Sequence, residues 1–149
     1  MNERMPGTIT VYTDGAARDN PGESASGFMI YDSSGKLRKS SAVYNGSKTN
    51  NYAEYMAVIE ALEWCKAHLK APNDSDIMLF SDSQLVVRQL NGNYKVKAGS
   101  LAPLHKRALA LAKSFNSVTF SNLPRENANI GKVDRMLNEL LDGMGKEKG

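Results

Sequence analysis

The sequence predicts an α/β fold: one five-stranded mixed sheet, three antiparallel strands followed by parallel ones, with helices against its faces. Three observations predict it. β-type runs separated by turn formers fill the first third of the chain. After that, segments with helical periodicity alternate with short apolar runs. The length, 149 residues, suits a single domain with one sizeable core, ordered from about residue 8 to residue 142.

The elements follow in order. Residues 1–7 are expected to fray. Residues 8–13 form a strand with Ile9 and Val11 on one face, and the turn formers Asp19, Asn20, Pro21 and Gly22 come soon after it. The stretch from Ser24 onward reads as two antiparallel strands, 27–31 and 37–44, joined through Asp32-Ser33-Ser34-Gly35, a connection of hairpin length that contains glycine. Residues 45–48 read as a loop. Residues 51–69 form a helix with Met56, Ile59 and Leu62 on its buried stripe, Ala57 and Ala61 beside them, and Asn50 or Asn51 as cap. Pro72-Asn73-Asp74 ends that segment. Residues 77–80, a short apolar run between acids, fit a buried parallel strand. A short helix over 81–90 stops at Asn91-Gly92-Asn93. Leu101, Leu104, Ala108, Leu111 and Phe115 recur at helical spacing, so 100–115 is a second long helix. Val118 and Phe120 alternate with polar neighbours in a last strand. Residues 124–131 read as a loop, 133–141 as an amphipathic helix, and 143–149 as a flexible tail.

Composition narrows the class. The chain is 41% hydrophobic and 23% charged, which describes a globular protein. No apolar run approaches the roughly 20 residues that a membrane helix needs, and residues 1–7 carry no signal-like apolar stretch. The single cysteine, Cys65, excludes an internal disulfide and a thiolate metal site. A cytoplasmic monomer is the expectation. The net charge is only +3, but its distribution is uneven. Between Asp82 and Glu126 no acid occurs, while Arg88, Lys95, Lys97, Lys106, Arg107, Lys113 and Arg125 do, a candidate phosphate-binding face.

Four acids stand in telling contexts. Asp14 ends the first strand and precedes Gly15. Asp82 ends the buried strand in the same way. Glu54 lies near the start of the first helix, and Asp134 opens the last apolar-periodic run. Taken alone, Asp14 reads as a turn cap. If the two strands are neighbours, however, Asp14 and Asp82 meet at one edge of the sheet. Carboxylates gathered this closely repel one another and raise each other's pKa. Divalent cations relieve that cost, and an all-oxygen ligand set selects Mg²⁺ or Mn²⁺ over Zn²⁺. Glu60 and Glu63 fall farther along the first helix and read as a solvated face.

The segments VYTDGAARDNPG, TNNYAEYMAVIEAL, SDSQLVV and the run around Asp134, in this order, resemble type 1 ribonuclease H. The resemblance spans about residues 8–141. It implies the ribonuclease H-like fold and an endonuclease that cuts the RNA strand of RNA–DNA hybrids with two divalent ions, Mg²⁺ or Mn²⁺, leaving 5′-phosphate and 3′-hydroxyl ends. By resemblance Asp14 bridges the ions, Glu54 and Asp82 hold the one on the leaving-group side, and Asp134 holds the one on the nucleophile side. Gly15, Asn20, Asn50 and Gln84 would meet the RNA strand, and Thr49 and Asn51 the DNA strand. The family's basic protrusion is replaced here by the short bridge 91–97, so Lys95 and Lys97, with Lys106 and Arg107, would carry phosphate binding. The loop before Asp134 has no histidine, and Glu126 or Asp142 could take the fourth acid's place. A non-catalytic module binding hybrid or double-stranded RNA, and cleavage of double-stranded RNA, are the alternative readings.

Overall fold

The computed structural model describes residues 7–97 and 99–148, with side chains through residue 144. Residues 1–6, expected to fray, and Gly149 lie outside the described residues. Strands β1 (Thr8–Ala17), β2 (Gly22–Tyr31) and β3 (Leu37–Lys48) come first, then helix α1 (Asn50–His68). Strand β4 (Asp76–Ser81), helices α2 (Gln84–Leu90) and α3 (Leu101–Ala112), strand β5 (Ser117–Asn122) and helix α4 (Ala128–Lys148) follow. The sheet order is β3-β2-β1-β4-β5. β1 is antiparallel to β2 and parallel to β4, and β4 is parallel to β5. This is the mixed five-stranded sheet expected from the sequence.

At β2 helices cover both faces, which is why it is buried from Ser24 to Ile30 instead of alternating. β4 is covered on one face only, so Ile77 and Leu79 are buried while Met78 is exposed, in place of the wholly buried strand expected over 77–80. On one face of the sheet Val11, Ile30, Ile77 and Leu79 pack with Val58, Ile59 and Leu62 of α1, joined by Val86, Leu90 and Ala108 from α2 and α3. On the other, Leu137 and Leu141 of α4 close over Ala25. Gly27 makes that approach feasible: a Cβ there would lie 2.7 Å from Leu137 Cδ2. Within α1, Tyr55 donates a hydrogen bond to Gln89 Oε1 at 2.6 Å, tying that helix to α2.

Several boundaries differ from the expectation. β1 does not stop at Thr13. It continues to Ala17 as a partner of β2, while its pairing with β4 ends at Thr13↔Ser81. Residues 45–48 are not a loop. They extend β3 past a bulge between the Ser24↔Gly46 and Ala25↔Tyr44 pairs, where Gly46 takes φ of 78°. α1 is capped by Thr49, whose Oγ1 accepts the Tyr52 N–H at 3.1 Å, and not by Asn50 or Asn51. Met56 is only partly buried, because the helix buries a broader face than one stripe. α4 begins at Ala128, inside the expected loop, because Asn127 Oδ1 accepts the N–H groups of Asn129 and Ile130. It also runs on through Lys148, so residues 143–148 belong to the helix and not to a flexible tail.

Candidate active site

The register of β1 sets the position of the first acid. Asp14 is the first residue beyond the β1–β4 pairing, still held by β2 opposite Gly27. The Gly15 N–H donates to Asp14 Oδ1 at 3.0 Å. Gly15 also brings in the second acid. A Cβ on it would lie 2.3 Å from Ala53 C and Glu54 N, so only glycine lets the α1 backbone come this close. Glu54, the fifth residue of α1, is thereby set beside Asp14 and buried. The third acid, Asp82, follows β4 directly. Thr13 Oγ1 donates to Phe80 O at 3.1 Å, joining the two strand ends. Ser81 Oγ accepts the Ser83 N–H, and Ser83 caps α2, which fixes the turn that carries Asp82.

One carboxylate oxygen each from Asp14, Glu54 and Asp82 lies within 4.8 Å of the others. Among the described residues, no Lys or Arg forms an ion pair with any of them. Burial, then the charges of Asp82 and Asp134, push the Asp14 carboxyl up from 3.8 to about 9. Glu54 is raised well above its ordinary range by burial first, then by Asp14 and Asp82. Glu54 Oε1 and Asp82 Oδ1 are buried without a hydrogen-bond partner. Buried acceptors in this condition cost about 1–3 kcal/mol each, more when charged. A hard cation would satisfy both and offset the repulsion, so the donor set fits Mg²⁺ or Mn²⁺.

Asp134 stands apart from the other three. It lies in the second turn of α4, half-buried, outside the 4.8 Å group, yet close enough for its charge to act on Asp14. Its Oδ2 accepts Asn138 Nδ2 at 3.2 Å. Of the two alternative fourth acids, Asp142 is engaged by Arg18 at 2.8 Å and Glu126 is exposed in the turn before α4.

The remaining sequence-predicted residues ring this cluster or lie beyond it. Asn20 Oδ1 accepts the Asn50 N–H at 3.0 Å, and Asn50 Oδ1 accepts the Ala17 N–H at 2.8 Å. Each asparagine thus spends its acceptor on holding the β1–β2 loop to the start of α1, leaving its Nδ2 as a donor. Thr49 and Asn51 flank Asn50, and Gln84 is the exposed first residue of α2. Lys95 and Lys97 are exposed in the segment between α2 and α3. Arg107 departs from the expected phosphate face, since it pairs with Glu63 at 2.6 Å. Arg88 lies over the Tyr94 ring at 5.2 Å. Glu60 is not a solvated acid: Ser26 Oγ donates to its Oε1 at 2.6 Å, and burial raises its carboxyl. Sequence reasoning passed over Asn138 and Arg18. The i,i+4 spacing of Asp134 and Asn138 was the available signal.

Buried, unneutralised carboxylates at the C-terminal ends of two adjacent parallel strands define the class: a ribonuclease H-like α/β domain with a site suited to hard cations. The chain belongs to the reverse transcriptase-like family, whose model matches residues 12–132. It is similar to ribonuclease HI of Halobacterium salinarum, 36% identical over 139 residues, covering 91% of this chain and 65% of that protein. The RNase H1 structure from that archaeon superposes with a TM-score of 0.82 at 35% identity, over 92% of this chain and 99% of that one. The N-terminal RNase H domain of Rv2228c from Mycobacterium tuberculosis gives 0.85 at 30% identity, over 96% and 99%. The chain spans only 35% of the complete Rv2228c protein. LC11-RNase H1, solved in complex with an RNA/DNA hybrid, gives 0.80 at 37% identity, over 88% and 94%.

Proposed function

We propose that this protein is a metal-dependent endonuclease that hydrolyses the RNA strand of RNA–DNA hybrids. The observation that carries the reading is the cluster of Asp14, Glu54 and Asp82, with two buried oxygens left without partners. A pure binding module has no use for it, because buried negative charge beside phosphates weakens binding. Two Mg²⁺ or Mn²⁺ ions, when bound, supply Lewis acidity to the scissile phosphate and the attacking water. Asp14, Glu54 and Asp82 would hold the ions, Asp14 as the ligand common to both, with Glu54 and Asp82 serving the leaving-group side and Asp134 the nucleophile side, as the family resemblance implies. The products are a 5′-phosphate and a 3′-hydroxyl.

The chain's own groups supply substrate choice. The Nδ2 donors of Asn20 and Asn50, which the loop contacts leave over, with Gln84 and the Gly15 backbone, would read the ribose 2′-hydroxyls that distinguish RNA from DNA. Thr49 and Asn51 serve the DNA strand, and Lys95 and Lys97 the phosphates of the hybrid. Within the described residues no helix is long and apolar enough to cross a membrane. A monomer acting in the cytoplasm completes the reading.

The test is cleavage of an end-labelled hybrid with Mg²⁺, Mn²⁺ or chelator, beside double-stranded and single-stranded RNA, with Asp14→Asn as the blank. Metal-dependent cutting of the hybrid's RNA, absent in the variant, is the expected result. Tight binding without cutting under every metal refutes it in favour of the binding module. Equal cutting of double-stranded RNA widens the substrate class.

A further inference from the structure

One contact around the fourth acid is unexplained by the fold. Asn138 Nδ2 donates to Asp134 O at 3.0 Å and to Asp134 Oδ2 at 3.2 Å. At its other end, Asn138 Oδ1 accepts Arg18 Nη2 at 3.2 Å. The same Nη2 also reaches Asn138 O at 3.2 Å and Asp142 Oδ1 at 2.8 Å. Arg18 lies four residues beyond Asp14, in the loop that carries Asn20. The chain of contacts therefore runs from the strand of the first acid to the helix of the fourth.

We propose that Asn138, with its amide oriented by Arg18, is a positioning residue that sets the Asp134 carboxylate for cation binding. The inference rests on the reading of Asp134 as a metal ligand given above. An amide has one accepting end and one donating end, whereas a guanidinium only donates. Arg18 therefore fixes Asn138 with Oδ1 toward itself and Nδ2 toward Asp134. The flipped amide would set oxygen against carboxylate and NH₂ against guanidinium. Held in this way, Asp134 commits Oδ2 to Asn138 and keeps Oδ1 for a cation or its water. Groups that orient a ligand from behind commonly govern metal affinity in this manner.

A stability role does not account for the arrangement. The Arg18 and Asp142 side chains are 43% and 59% exposed, and exposed ion pairs contribute about 0–1 kcal/mol. The effect of breaking the contacts falls instead on Asp134, the acid that a helix on the other face of the sheet carries to the edge of the cluster.

The experiment titrates the full chain with Mn²⁺ by calorimetry and measures kcat, KM and Tm on the same preparations. The variants are Asn138→Leu, Arg18→Met and Arg18→Lys, with Glu63→Gln as a control that breaks another exposed Arg–carboxylate pair. Asn138→Leu and Arg18→Met are expected to weaken Mn²⁺ binding and lower kcat by about 10–100-fold, with KM for hybrid and Tm close to wild type. Arg18→Lys, which keeps the charge and a donating nitrogen, recovers part of the loss. Wild-type behaviour of Asn138→Leu and Arg18→Met overturns the inference alone, as does a loss of binding that tracks a fall in Tm. A wild-type chain that neither binds Mn²⁺ nor cuts hybrid overturns the proposed function, and the inference with it.

Discussion

Replacing Asp14 with asparagine should abolish cleavage and, in chelator, make the protein more stable. The sign follows from the carboxyl's displacement from 3.8 to about 9 in the fold. Below 3.8 Asp14 is protonated in both states and contributes no pH dependence. Between 3.8 and about 9 the unfolded chain has released a proton that the folded chain retains, so stability falls as pH rises. At about 1.4 kcal/mol per pH unit, the span up to pH 7 amounts to a ceiling of about 4 kcal/mol. Water entry and side-chain movement reclaim part of that, leaving about 2 kcal/mol, or a Tm gain of about 5 °C in a chain of this length. Asparagine carries no charge, and its amide brings two N–H donors to a cluster that holds oxygens without partners. The assay is thermal unfolding of both proteins in chelator from about pH 5 to pH 8, repeated in Mg²⁺. The advantage of Asp14→Asn should grow with pH in chelator and shrink in Mg²⁺, which neutralises the wild-type cluster. A variant less stable than wild type, or an advantage flat in pH, refutes the account of the site as a store of repulsion.

Three other variants probe separate links. Gly15→Ala sets a Cβ against backbone atoms that cannot swing aside, so α1 must retreat and carry Glu54 with it. Unfolding should show a loss of about 1–3 kcal/mol, and a shift near 1 Å at the site should cost about 10²-fold in kcat. Tyr55→Phe removes the bond to buried Gln89 and should cost about 1–3 kcal/mol in urea unfolding with kcat little changed. The Lys95→Ala, Lys97→Ala double variant should raise KM for hybrid and flatten the log–log salt dependence by about 0.7–0.9 for each phosphate no longer neutralised, with kcat intact. Unchanged salt dependence would remove these lysines from the interface.

The sequence was most readable where one pattern spoke for one element. The parallel strand around Leu79, the long helix through Ile59 and Leu62 and the hairpin turn at Asp32-Ser33-Ser34-Gly35 all carry local signals that tertiary packing reinforces, although that strand buries one face and leaves Met78 exposed. It was least readable where packing overrode them. Asn45-Gly46 looks like a loop, yet the bulge lets β3 continue beside β2. Ala128-Asn129-Ile130-Gly131 looks too irregular for a helix, yet Asn127 caps it. Three of the acids were legible because each follows or opens a recognisable element. That Asp134 would stand off from the other three was not legible, since its distance depends on how α4 seats on Gly27 and Ala25. The pairing of Arg107 with Glu63 was hidden for the same reason, being a contact between helices far apart in the chain.

The direction of the β1–β4 pair has a consequence for the molecule as a whole. Both strands run toward the acids, so the chain has two poles of unlike character. At one, Thr13, Ser81 and the start of α1 deliver the carboxylates. At the other, the turn 32–36, the end of α1 and Pro72–Asp74 gather, and Asp76 spends its carboxylate on Asn116 and Ser117 as local staples. The connections at the first pole are tied to the carboxylates, whereas those at the second serve the fold alone. The second pole can lengthen a turn or accept a grafted module without displacing a ligand oxygen, while a single methyl group at Gly15 disturbs the first.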